Sequence, residues 1–288
     1  MILNNLLKIG DINITGLTDG PNIIDPTILF PETPIEAWKP FYDIFPEYFE
    51  GKYFKVNLGT FVISNSDQSI VADTGFGPHG KMFGSKPPAQ LIQDFIRNKI
   101  PFESIDKVFL THLHGDHYGW NYREDLVDRP PTFPNAKYMV NRLDWDHWSS
   151  DQMLSTDPDD PLKRSVLPLL NDGLLDLMDG DTTLMKGVDA IHTPGHTPGH
   201  MSLLISSKNE RGMLLGDIVG SPMQITKSDY PYMPDSDPEL GRKTRHRLIN
   251  KAHDEKMIVL GSHLSYPGWG TIITWKGKKY FQGLQKNQ

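Results

Sequence analysis

Residues 11–17 alternate apolar and polar side chains (Asp-Ile-Asn-Ile-Thr-Gly-Leu), the period of a strand with one buried face. Two further apolar runs, 53–64 and 69–72, flank the polar tetrad Asn65-Ser66-Asp67-Gln68 and predict a pair of strands joined by a turn. Helical spacing first appears over 88–98, where Leu91, Ile92, Phe95 and Ile96 would share one face. A short apolar run at 107–110 predicts a buried strand. Another strand is expected at 137–140, followed by a short helix at 141–148 and helical pieces around 161–171 within an Asp-rich stretch. Short strands follow at 189–192, 201–206 and 213–215. The clearest helix starts at Asp237-Pro238, where the carboxylate can cap free amides and proline suits the first helical position. It should run to about residue 256, ahead of strands at 257–261 and near 271–275. Strands in groups with intervening helices predict a mixed α/β fold.

Residues 20–51 break this pattern: they are dense in Pro, Phe, Tyr and Trp and have little periodicity. Long aperiodic segments in compact domains are often binding loops, so this one is expected to cover a pocket. The 288 residues contain no low-complexity linker, and a single domain over 1–288 is the simplest organisation. Lys plus Arg total 29 against 36 Asp plus Glu, a formal charge of −7, which argues against nucleic-acid and anionic-membrane partners. Without cysteine there can be no disulfide, thiolate ligand or Cys nucleophile. Residues 1–10 lack the charge and apolar pattern of an export signal, and no window reaches membrane-spanning length, so a cytoplasmic protein is expected. Monomer and homodimer both remain open.

The apolar run at 107–110 leads directly into Thr111-His112-Leu113-His114-Gly115-Asp116-His117. In an extended segment, residues two apart project to the same side, so His112 and His114 can reach one ion. A turn at Gly115 would send Asp116 and His117 towards a second. Imidazole and carboxylate are the usual N/O ligands of zinc and related ions. Completing two coordination shells needs further ligands, and three positions qualify by context. His196 lies between two Pro-Gly turns, Asp217 ends the run Met213-Leu-Leu-Gly-Asp, and His263 follows the strand expected at 257–261.

With Asp73-Thr-Gly75 ahead of them, these residues stand in an order that resembles the metallo-β-lactamase superfamily, over most of the chain from Phe61 to about Trp275. The resemblance implies an α/β fold, a four-layer αββα sandwich, with the site at one edge of two sheets. It assigns His112, His114 and His196 to one ion and Asp116, His117 and His263 to the other, with Asp217 bridging and Asp73 orienting a ligand imidazole. Two divalent ions are implied, zinc first, with iron, manganese or cobalt also compatible.

The branch most similar contains acyl-homoserine-lactone lactonases and methyl parathion hydrolase. The likeness rests on Asp19-Gly-Pro, on residues 216–224 (Gly-Asp-Ile-Val-Gly-Ser-Pro-Met-Gln) and on residues 263–270. It implies a hydrolase that uses a bridging hydroxide to cleave a lactone or carboxylic ester, with phosphotriesters as promiscuous substrates. Asp116 and Asp217 would orient the nucleophile and pass on its proton. Many lactonases carry a Tyr three residues after the bridging Asp, in contact with the substrate carbonyl. Here that position is Gly220, so a substitute would have to come from elsewhere, with Tyr118 and Tyr266 as candidates. Phe76, Trp120, Met223 and Trp269 complete the expected pocket wall for a hydrophobic small-molecule substrate. The alternative on the same ligands is a glyoxalase II-like thioesterase or a mononuclear iron sulfur dioxygenase.

Overall fold

The computed structural model describes residues 5–80, 86–157 and 159–284. The first four residues of the stretch read for an export signal lie outside them. Two sheets face each other. The first contains β1 (Leu6–Ile9), β2 (Ile12–Ile24), β3 (Phe49–Glu50), β4 (Tyr53–Ser64), β5 (Ser69–Ala72), β6 (Lys107–Phe109), β7 (Lys137–Asn141) and β8 (Leu175–Met178). Its order is β1-β2-β4-β5-β6-β7-β8, with β3 beside β4. The expected β4–β5 turn joins an antiparallel pair in register Phe61↔Ala72, and the strands from β5 to β8 run parallel. The second sheet contains β9 (Thr182–Met185), β10 (Val188–His192), β11 (Met201–Ser207), β12 (Glu210–Leu214), β13 (Ile258–Leu260), β14 (Trp269–Trp275) and β15 (Lys278–Gly283), in the order β15-β14-β13-β12-β11-β10-β9.

Three apolar clusters define the layers. Between the sheets, Ile14, Phe61, Ile63 and Phe109 of the first pack with Ala190, Leu203, Ile205 and Leu260 of the second. On the outer face of the first sheet, Val71, Val108 and Tyr138 pack against Leu91 and Phe95 of α2 (Leu91–Arg97) and Leu169 of α5 (Leu167–Asn171). On the outer face of the second, Met213 and Val259 pack against Leu248, Ile249 and Ala252 of α7 (Pro238–Asp254). The result is a helix–sheet–sheet–helix sandwich, the mixed α/β fold of the pattern in the layering that the resemblance implies. Asp237 caps α7 by accepting the Leu240 amide, and Pro238 opens it. Among the described residues no helix is long and apolar enough to cross a membrane.

Several boundaries differ from expectation. β2 runs on to Ile24, because the chain past Asp19 continues its pairing with β4 through an irregularity at Thr18/Pro21. The rest of the aperiodic segment is one short helix, α1 (Pro26–Leu29), and two 3-10 turns, 35–41 and 46–48. Its aromatic side chains Phe30, Trp38, Phe41, Phe45 and Tyr48 are buried and pack with Phe54 and Tyr232 against the second sheet. Most of the segment is therefore core, which hides behind turns too short for any period. Ile96 is 63 % exposed and does not belong to the buried face of α2. The run Lys276-Gly-Lys-Lys279 turns into β15, an edge strand whose lysines face solvent and discourage pairing with another chain.

Candidate metal centre

The site lies where strands end. β6 stops at Phe109, β12 at Leu214 and β13 at Leu260, and the loops after them carry the histidine cluster, Asp217 and His263. The β10–β11 connection supplies His196. Two groups of side chains converge there. His112, His114 and His196 form one, and Asp116, His117, Asp217 and His263 the other, with ligand atoms in each group within 4.8 Å of one another. Asp217 touches both groups. Its Oδ2 lies 2.9 Å from His263 Nε2, 3.6 Å from His196 Nε2 and 4.0 Å from His112 Nε2, and its Oδ1 lies 3.5 Å from His117 Nε2.

Hydrogen bonds on the outer nitrogens decide which atom of each ring faces inward. His112 Nδ1 lies 3.0 Å from Thr111 Oγ1, whose hydroxyl donates to Asp73. His117 Nδ1 lies 2.8 Å from Asp73 Oδ2, His196 Nδ1 3.0 Å from Asp235 Oδ1, and His263 Nδ1 2.9 Å from the Asn57 carbonyl. All four rings therefore turn Nε2 inward, as metal-ligating imidazoles with an engaged outer N–H do. His114 presents Nδ1 instead, 3.1 Å from His112 Nε2 and 3.0 Å from His196 Nε2. Buried lone pairs facing each other are unfavourable unless a cation lies between them. His117 Nε2 and Asp217 Oδ1 are likewise buried with no hydrogen-bond partner. This donor set of imidazole nitrogens and carboxylates suits two divalent ions.

Charge is partitioned between the groups. Burial, reinforced by neighbouring imidazoles, holds His112 and His114 well below the usual histidine range, so both are neutral. Burial opposes charge on His117 and His263 too, but the carboxylates outweigh it. Asp217, Asp73 and Asp116 lift His117 well above its ordinary value, and Asp217 and Asp116 raise His263 to about 9. Asp217 itself stays ionised, because His263 and His117 outweigh the penalty of its burial.

Several side chains that position the site went unrecognised in the sequence. Asp144 accepts hydrogen bonds from the Leu113 amide, the Thr197 hydroxyl and the Gly199 amide, tying the two histidine-bearing loops together. Asp235 joins His196 to the buried guanidinium of Arg245, which lies 2.7 Å from its other oxygen. Asp19, which the sequence offered only as part of a motif, accepts the Phe76, Gly77 and Leu91 amides and the Trp120 indole N–H. His200 is buried and accepts the Asp217 amide on Nε2 at 3.0 Å. A Cβ at Gly216, which has φ +57°, would meet that nitrogen at 2.4 Å. Asp73 also has left-handed backbone, φ +61°, a conformation unusual outside glycine that places its carboxylate under both Thr111 and His117.

A cavity of about 380 Å³ opens over these groups. Its floor holds His114, Gly115, Asp116, Asp217 and His263. Its walls are Ile24, Leu29, Val56, Phe76, Tyr232, Met233 and Pro234. Of the pocket residues expected from the sequence, Phe76 is here. Tyr118 and Trp120 are buried in the cluster under α2, Met223 in the cluster under α7, and Trp269 between the sheets. They fill the core because each is large, apolar and close in sequence to the site without facing it. Tyr266 lines a different hollow with Lys55, Gln90 and Ser265. The 20–51 segment contributes Ile24 and Leu29 to the wall. Tyr232, absent from the expected set, is buried; burial and the nearby Asp217 keep its hydroxyl protonated.

Known proteins resemble this chain in sequence and fold to different extents. An N-acyl homoserine lactonase of Bacillus thuringiensis is 25 % identical over 228 residues, covering 74 % of this chain and 83 % of its own. Among solved structures, a hydrolase of the β-lactamase superfamily called AbOPH superposes with TM-score 0.83 at 23 % identity, covering 98 % of both chains. AidC, a dizinc quorum-quenching lactonase solved with N-hexanoyl-L-homoserine, gives 0.81 at 22 % identity, again over 98 % of both. Residues 60–263 match the sequence profile of the metallo-beta-lactamase superfamily, and the chain belongs to that family.

Proposed function

We propose that this chain is a two-metal hydrolase that cleaves a lactone or carboxylic ester bearing an apolar acyl group. The observation carrying this reading is Asp217, whose carboxylate lies within 4.0 Å of a nitrogen of His112, His117, His196 and His263, on the floor of a cavity with largely apolar walls. His112, His114 and His196 would hold one ion and Asp116, His117 and His263 the other, with Asp217 shared. Zinc is the first choice of metal, and iron, manganese or cobalt suit the same donors. When bound, such a pair supplies a water deprotonated near neutral pH and positive charge for an acyl oxygen.

The protein's own groups do the rest. Ile24, Leu29 and Val56 bury the acyl chain and exclude water. Asp116, on the cavity floor, takes the proton released at attack and returns it to the leaving alkoxide. Phosphotriesters fit the same chemistry as secondary substrates. The B. thuringiensis relative supports lactones as the first class to test. A glutathione thioester is disfavoured, since it carries several charges and no Lys or Arg lines the cavity among the described residues.

The test is a panel on metal-analysed protein: acyl-homoserine lactones, aryl esters, an organophosphate triester and a glutathione thioester. Turnover of lactones or esters with two metal equivalents is expected. Turnover of the thioester alone, or one iron per chain with oxygen consumption, would overturn the reading.

A further inference from the structure

We propose that the Tyr232 hydroxyl donates a hydrogen bond to the acyl oxygen of the substrate, and that Gly220 lacks a side chain in order to seat it; this rests on the ester-hydrolase reading above. A Cβ built at Gly220 would lie 2.4 Å from the Tyr232 hydroxyl oxygen and 2.5 Å from Cζ. Its backbone is outside the positive-φ region, so conformation does not demand glycine. Nor can the backbone retreat easily. The Gly220 amide donates to Gln224 Oε1 at 2.7 Å, and its carbonyl accepts the Tyr48 hydroxyl at 3.0 Å. What the absent side chain leaves is room for one phenol.

That phenol is held firmly. Its ring centroid lies 5.2 Å from Phe30 and is stacked on His196 at 5.8 Å, with 21° between the planes. The hydroxyls of Tyr48, Tyr122 and Tyr138 all donate to protein oxygens, whereas among the described residues none hydrogen-bonds that of Tyr232. It lines the same cavity as Asp116, Asp217 and His263. The remaining wall side chains, Ile24, Leu29, Val56, Phe76, Met233 and Pro234, offer no O–H or N–H. Tyr232 is thus the wall's neutral side-chain donor. An acyl oxygen gains negative charge when its carbon is attacked, and a fixed donor in a dry site favours that state over the ground state. The hydroxyl keeps its proton throughout.

The test compares wild type, Tyr232→Phe and Gly220→Ala on the best ester or lactone of the panel. In Tyr232→Phe, kcat should fall by about 10²-fold, the scale of one lost oxyanion donor, with KM, metal content and thermal midpoint near wild type. Affinity for a phosphonate analogue of the tetrahedral state should weaken by a similar factor, while affinity for the hydrolysed product stays level. A side chain that only packs would not separate the two ligands. Gly220→Ala should lower kcat in the same direction, because the methyl displaces the hydroxyl, and should cost nothing further when combined with Tyr232→Ala. Unchanged kcat and analogue affinity in metal-replete Tyr232→Phe overturn the proposal. If that variant cannot hold metal, the same result in Gly220→Ala overturns it. A wild-type protein inactive on every ester and lactone sinks the ester reading itself, and the hydroxyl's role with it.

Discussion

Asp235 Oδ1 lies 3.0 Å from His196 Nδ1, and through Asp235 that ring is tied to Arg245, an arginine with almost no exposed surface. The Arg245 guanidinium also donates to the Ile218 and Ser228 carbonyls, so it braces the loop after Asp217 as well. Replacing Asp235 by Ala leaves a buried cation unpaired and should destabilise the fold by about 3–5 kcal/mol. Denaturant unfolding would measure this. Restoring apolar packing with Asp235→Leu and Arg245→Met together should recover much of the stability. It should not recover metal affinity, which a lost outer-nitrogen partner lowers by about 10–100-fold.

Asp144 is the second brace. Its three donors come from both histidine-bearing loops, so Asp144→Ala strands buried amides on each. A loss of at least about 3 kcal/mol is expected, since hydrogen bonds to a charged group each contribute about 1.5–3 kcal/mol. Asp146, on the same helix (Arg142–Trp148) but exposed, is the control. Its change to Ala should stay within about 0.5 kcal/mol. Equal effects from the two would refute the bracing role of Asp144.

Metal removal should act on stability as well as turnover. Three inward-facing nitrogens within 3.1 Å of their neighbours are poorly accommodated without a cation. Chelation should therefore lower the thermal midpoint, and zinc should restore it. A ligand at about 1,000 times its Kd adds about 4 kcal/mol. Asp217→Asn should bind less metal and lose at least about 10³-fold in turnover, since metal charge stabilisation is worth several kcal/mol. A midpoint indifferent to chelator would contradict the site.

The cavity wall should set chain-length preference. Met233 lines it while remaining 45 % exposed, so Met233→Ala should leave the fold intact. Losing part of an apolar contact of about 1–1.5 kcal/mol should lower kcat/KM for long acyl chains by up to about tenfold and leave short ones unaffected. Steady-state kinetics over a series of chain lengths checks this.

Much of the centre was legible because its residues lie in short, dense motifs at strand ends. The run into His112 and the Pro-Gly turns around His196 are local signals; grouped strands with intervening helices gave a mixed α/β fold, and the αββα layering came from the family resemblance those motifs carry. What stayed hidden depends on contacts between distant residues. Asp235 is one of several acids before α7, and nothing local marks it as the partner of both His196 and Arg245, ten residues on. Tyr232 reads as one aromatic in Tyr-Pro-Tyr-Met, and its relation to Gly220 exists only after the chain folds back. The pocket candidates Trp120, Met223 and Trp269 show the converse error. Nearness in sequence to a ligand says little about which way a side chain faces.

The hydroxyl of Tyr48 on the carbonyl of Gly220 spans 172 residues and links the aperiodic N-terminal segment to the loop after Asp217. Reactivity and selectivity therefore have separate addresses in the chain. The ligand-bearing loops follow strands of the paired sheets, while Leu29 lies in the short helix after β2, in a segment held by the aromatic rings it packs beside Phe54 and Tyr232. Selection can rework that segment to admit new substrates, provided Tyr48 and the rings around it survive, without disturbing the groups that break the bond.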